Sequence, residues 1–352
     1  MVRSIFRLSA GVIVGLCFAC APPPSPPPPQ KPMARPVCAP IANVSMVAAS
    51  FDPTSATGTP IADGPAPPNI QTDLVAAFNA APPFFQTQLC QLTGIFVTAD
   101  PQSWGYRDIT DGSRYIAISM SLWSGNPPQP ITVDQYQNRV FGPPLSWPPP
   151  GPHDDPIPTY LPATPNDGTM TILAALAHEY GHIFWSEVLV FPRGTNPQSS
   201  RFCNRVLSNY WTGNLQPTVW KNFEDLDLNP ADIPDDPNDP PPPGDPGPRE
   251  AKVVKMIDAL NTGNIKKAHR ILWRILAPGR PFPSLLGAFS ANEQFVETFM
   301  LYTLLHAPTP LTSLPLQVSP GMVRDVPATL ANRQRLSKLL QCFDSLVPPP
   351  NP

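Results

Sequence analysis

Hydrophobic positions fall into short runs of two different periods, separated by proline-rich polar stretches. From Arg114 to Leu122, Ile116, Ile118, Met120 and Leu122 alternate with Tyr115, Ala117, Ser119 and Ser121. This period of two predicts a half-buried β-strand, and a second strand is expected from Leu92 to Thr98. Helical spacing predicts helices over Thr72 to Ala80, Phe84 to Cys90, Arg201 to Trp211, Arg249 to Asn261, Asn264 to Leu276 and Ala328 to Ser345, with Thr262-Gly263 as a break. Between these strands and later helices lies Met170 to Val190, free of proline. Ile172, Leu173, Leu176, Ile183, Phe184 and Leu189 recur there at helical intervals and would bury most of its surface. The turn Pro165-Asn166-Asp167-Gly168 precedes it, and Asp167 or Thr169 can cap the helix. This order of elements predicts an α+β fold, a small mixed sheet followed by a central helix and a mainly helical C-terminal lobe.

With 352 residues, 41% of them hydrophobic, the chain is long enough for one large domain or two lobes. Its 55 prolines are about three times the usual share, and they gather at residues 22–36, 143–165, 230–248 and the C-terminus. These stretches read as a tether, long loops and a tail. Residues 230–248 form a Pro-rich insertion, of which Asp232 to Pro248 is acidic and poor in apolar residues, and so an exposed loop. A formal charge of −3 carries no sign of a nucleic-acid partner. The basic cluster Lys266, Lys267, His269 and Arg270 reads as a solvated helix face.

Arg3 and Arg7 precede an apolar run from Leu8 to Ala19, the pattern of a signal peptide over residues 1–20. Cys20 and the Pro-rich stretch over 21–37 suggest a bacterial lipoprotein on a stiff tether. Ordinary cleavage near Ala19 is the alternative, since Cys17 stands where a lipobox usually has leucine. The chain is therefore expected to be exported, as a cell-envelope lipoprotein or a secreted protein, touching a membrane only through its lipid anchor. Without Cys17 and Cys20, four cysteines remain in a domain expected over 38–347, before a tail at 348–352. An oxidising compartment favours disulfides. Cys38 and Cys90 flank the N-terminal half of the domain while Cys203 and Cys342 belong to its C-terminal half, which favours those two pairs.

His178-Glu179-Tyr180-Gly181-His182 adds chemistry to the central helix. Histidines four apart share one helix face, where both imidazoles can hold a zinc ion. Glu179, about 100° round the helix, can serve as general base toward a water. Two histidines and an acid in an otherwise apolar helix are costly without a common partner. A third ligand is still needed, and Glu293 and Glu297 supply carboxylates one turn apart in Ala291-Asn292-Glu293-Gln294-Phe295-Val296-Glu297. One can bind the metal while the other orients a ligand imidazole.

Together the two motifs resemble the gluzincin metallopeptidases, particularly those of the lethal-factor-like type, which pair HExxH with a downstream N-E-x-x-x-E-like helix. The resemblance implies a zincin-like fold and one Zn²⁺ held by His178, His182 and Glu293, with Glu297 behind them and Glu179 as catalytic base. It also implies a peptide or protein substrate, and Arg114 to Leu122 as the edge strand along which an extended peptide aligns, unless that strand is purely structural. Tyr302 and His306 fall on the back of the Glu293 helix by helical arithmetic, leaving Tyr160, Tyr210 and His153 as candidates to steady an oxyanion. Two other functions stay open: a surface-anchored binding or structural protein with a non-catalytic zinc, and an amide hydrolase of the cell envelope.

Overall fold

A computed structural model of the protein describes residues 36–48, 51, 59–108, 110–141, 158–187, 251–276, 284, 286–288, 291–319, 321–331 and 337–344. All belong to one compact unit, Pro36–Pro352. The predicted signal peptide, the tether to residue 35, the helix over 201–211, the insertion 230–248, the tail 348–352, Cys20 and Cys203 lie outside the described residues.

The first half of the chain builds α1 (Ala39–Ala42), β1 (Ser45–Val47), β2 (Ala62–Pro65), α2 (Pro68–Ala80), α3 (Pro83–Leu89), β3 (Gly94–Thr98), β4 (Trp104–Arg107) and β5 (Arg114–Ser119). After a 3₁₀ turn at Met120–Leu122 come β6 (Trp123–Ser124), β7 (Gln129–Pro130), α4 (Val133–Phe141), β8 (Thr159–Tyr160) and α5 (Gly168–Trp185). The second half supplies α6 (Ala251–Asn261), α7 (Ile265–Leu276), α8 (Ala291–Leu305), β9 (Pro315–Ser319), β10 (Met322–Asp325), α9 (Val326–Ala331) and α10 (Ser337–Asp344). Helices and a mixed sheet thus share the fold, as an α+β pattern requires.

The main sheet has the order β2-β1-β3-β5-β4, with β3 parallel to β1 and β5, and with β2 and β4 antiparallel at its edges. This corrects the expectation that Arg114 to Leu122 forms an edge. Trp104–Arg107 pairs on its outer side, from Trp104 opposite Ala117 to Arg107 opposite Arg114. Nor is β5 half-buried. Ile116 and Ile118 face the main core with Ile95 and Val97, while Tyr115 and Ala117 pack with Phe96, Tyr106, Phe51 and Trp104 in a second cluster. The aromatic side chains carry that second face out of water, so both faces of the strand are covered.

A smaller antiparallel sheet, β10-β9-β8, joins the proline-rich middle of the chain to its C-terminal part. In the predicted C-terminal helix the structure describes two shorter helices, α9 and α10. Cys38 and Cys90 form a disulfide with Cα atoms 5.6 Å apart. Cys342 is also disulfide-bonded. On α7, Lys266, Lys267 and Arg270 are exposed, but His269 is buried with Ala268, Leu272, Ile275 and Leu276, so the expected basic face excludes it. No helix among the described residues is long and apolar enough to cross a membrane.

Candidate metal centre

Of the two proposed caps, Asp167 starts α5, its carboxylate accepting the Met170 N–H at 2.9 Å. Almost every side chain of this helix is buried, including His178 and Glu179. α8 crosses it very closely at Gly181, where an added Cβ would stand 3.1 Å from Val296 Cα. A side chain there would press the two backbones apart by a few tenths of an ångström, and their close approach sets Glu293 and Glu297 against the two histidines.

The four side chains divide their contacts. Glu293 reaches both imidazoles, Oε2 lying 3.9 Å from His178 Nε2 and Oε1 3.8 Å from His182 Nε2. Glu297, fully buried, meets the other nitrogen of His178, Nδ1, at 2.8 Å. One atom from each of His178, His182 and Glu293 lies within 4.8 Å of the others. Donors about 2.0–2.2 Å from a four-coordinate ion stand roughly 3.3–3.6 Å apart, so the Glu293 contacts need to shorten by a few tenths of an ångström, and the widest separation in the set by up to about an ångström, to close around a metal. Two imidazole nitrogens and a carboxylate, with one imidazole backed by a buried acid, fit such an ion in both chemistry and spacing.

Electrostatics reflects the crowding. Burial disfavours charge on His178, but its hydrogen bond to Glu297 and the fields of Glu179, Glu297 and Glu293 win, raising its pKa to about 9. For His182, burial and the neighbouring His178 charge lower it to about 3, against a smaller opposing effect of the Asn292 side chain. Burial raises Glu293 to about 7, opposed by His178 and reinforced by Glu297. Glu179 also rises to about 7, chiefly through burial, with His178 and a backbone hydrogen bond from Gly105 resisting. That bond comes from the edge strand β4, which lies directly on α5. A Cβ at Gly105 would fall 1.8 Å from the Glu179 carbonyl oxygen, so no other residue fits there without displacing the strand.

Tyr136 was not singled out from the sequence. It sits buried on α4, and its phenol is held far above its ordinary pKa by burial and by the charges of Glu179, Glu297 and Glu293. Val133, Tyr136, Gln137 and Val140 recur at i, i+3, i+4 and i+7, a helical signal that would have drawn attention to it. Tyr160 is buried in the field of Glu297. Tyr302 and His306 are turned away: the Tyr302 hydroxyl donates to Asp344 at 2.7 Å, and His306 is exposed, its Nδ1 2.8 Å from the Tyr302 carbonyl. His153 and Tyr210 lie outside the described residues. No protein-family model matches the chain, and comparison with curated proteins and with solved structures finds no similar protein.

Proposed function

We propose that the protein is a zinc-dependent, zincin-like hydrolase of peptide bonds, with His178, His182 and Glu293 as ligands and Glu179 as general base. The observation that carries this reading is the convergence of five side chains. Two histidines, a carboxylate that reaches both, a buried acid behind one of them, and a third acid on the histidines' own helix meet where α5, α8 and β4 come together. A site of structure alone has no use for Glu179 beside its donor set, because structural zinc usually closes its fourth position with protein.

Zinc bound there would supply Lewis acidity, polarising a scissile carbonyl and making a water easier to deprotonate. The chain's own groups do the rest. Glu179, buried and therefore a better base than an exposed carboxylate, takes the proton from the attacking water and can return it to the leaving amine. The Gly105 N–H holds that carboxylate in place. Glu297 accepts the His178 Nδ1 proton, which leaves Nε2 free to face the donor set. The Tyr136 hydroxyl, kept neutral by burial and by the charges of Glu179, Glu297 and Glu293, would serve as the donor that steadies an oxyanion. As the edge strand beside Glu179, β4 rather than β5 would align an extended substrate.

Elemental analysis of the purified protein tests the reading, with about one zinc per chain expected. Glu179→Gln should keep that zinc and lose peptide hydrolysis, because it removes the base and no ligand. Protein that takes up no added zinc, or a Glu179→Gln variant that hydrolyses peptides as well as the native chain, would overturn it.

A further inference from the structure

The face of α7 turned to solvent is dense in positive charge. Lys266, Lys267, Arg270, Trp273 and Arg274 are all exposed. At about 100° per residue they share an arc of roughly 120°, while Ala268, His269, Leu272, Ile275 and Leu276 fill the buried side. No acidic residue occurs anywhere in Ile265–Leu276. Among the described residues, none of the four cations takes part in an ion pair. The chain as a whole carries −3, so this density of positive charge is a local feature set against the general balance. Trp273, 39% exposed, is one of few large apolar side chains that are exposed among the described residues.

We infer that this face of α7 docks on an anionic phospholipid surface. A helix of 12 residues, about 18 Å long, can lie flat against a bilayer with Lys and Arg at the headgroup phosphates and the indole at the boundary with the acyl chains. The amphipathic indole is what favours lipid over a nucleic acid or an acidic protein. Four cations in one arc without an acid supply the charge complementarity, and the buried apolar side keeps the helix fixed to the body of the protein. The inference is independent of the metal centre.

The test compares the full chain with a variant carrying Lys266→Gln, Lys267→Gln, Arg270→Gln and Arg274→Gln. Both are mixed with vesicles of phosphatidylcholine alone and of equimolar phosphatidylcholine and phosphatidylglycerol. The N-terminal segment is identical in both chains, so its contribution cancels in the comparison. Partitioning into the anionic vesicles should fall by roughly 5-fold per cation removed, while binding to neutral vesicles stays the same and the thermal melts of the two proteins coincide. In anionic vesicles of brominated lipid, native fluorescence should be quenched, and Trp273→Phe, which leaves the charges in place, should remove most of that quenching. Equal anionic partitioning of native and variant chains would overturn the inference. So would native chain that binds duplex DNA or polyglutamate in preference to the anionic vesicles.

Discussion

Glu293 and Glu297 stand one turn apart on α8, yet they meet different nitrogens of the same histidine, Nε2 for Glu293 and Nδ1 for Glu297. Their removal should therefore have unequal effects. Glu293→Gln takes a charged donor out of the set and should lower zinc occupancy sharply. Glu297→Gln removes an orienting acid, for which a loss of roughly 10- to 100-fold in affinity is typical. Competition with a chelator ranks the two, and a Glu297 variant that loses zinc more readily than the Glu293 variant would exchange their roles. Protons should follow the metal as well. In the metal-free protein His178 titrates near 9 and Glu293 near 7, whereas His182 lies near 3. A ligand must be deprotonated to bind, so below about 9 zinc has to displace the proton of His178, and below about 7 that of Glu293 too. Apparent zinc affinity should then rise with pH up to about 9, with about one proton released per zinc at pH 8 and more at pH 6, where Glu293 and the neighbouring Glu179 are protonated too. Titration calorimetry in buffers of different ionisation enthalpy counts them, and uptake without proton release at pH 8 would contradict the proposed charge on His178. These residues were legible in the sequence because their spacing is local. Tyr136 and the Gly105 N–H were not, since each reaches the site only through packing between distant segments.

At the scale of elements, the α5–α8 crossing decides whether the site exists, and Gly181 controls that crossing. An alanine there gains up to about 1 kcal/mol in helix propensity. Against this, its Cβ would sit 3.1 Å from Val296 Cα and 3.2 Å from Cγ1, and forcing apart a packed contact of this kind costs about 1–3 kcal/mol. The second effect should win. Gly181→Ala should lower the unfolding midpoint in urea and weaken zinc binding by carrying Glu293 away from the histidines, and Gly181→Val should do both more strongly. An alanine variant with higher stability and unchanged zinc affinity would show that the crossing can relax. The central helix and α8 were readable in advance, one from its apolar spacing and cap, the other from its paired acids. β4 was not: Trp104-Gly105-Tyr106-Arg107 is too short for alternation to show, and its place at the edge follows from pairing with β5. β8 was hidden for a related reason, lying in a proline-rich stretch and pairing with β9 across more than 150 residues of chain.

Across the whole molecule, the N-terminal disulfide is coupled to the metal helix through α3. Cys90 caps α3, whose Phe85 packs between Tyr180 of α5 and Phe299 of α8, with ring centroids 5.7 and 6.0 Å away. Gln88 of α3 accepts the Tyr180 hydroxyl at 2.6 Å. Such coupling leaves two possible effects of losing the bridge: a less stable fold with an intact site, or a site that loosens with it. Chain entropy argues for the first. The bridge spans a sequence separation of 52, and closing a loop of that size should contribute about 4 kcal/mol by constraining the unfolded chain. The aromatic contacts and the hydrogen bond to Tyr180 do not depend on the sulfur atoms. Replacing both cysteines, Cys38→Ala with Cys90→Ala, should accordingly lower the unfolding free energy by about 2–4 kcal/mol while zinc affinity of the folded protein stays within a factor of about three, since none of the donor set is touched. Denaturant unfolding of the metal-free proteins and chelator competition under folding conditions separate the two quantities. A large loss of zinc affinity at full folding would mean that the bridge positions α5 and does not merely restrain the unfolded chain.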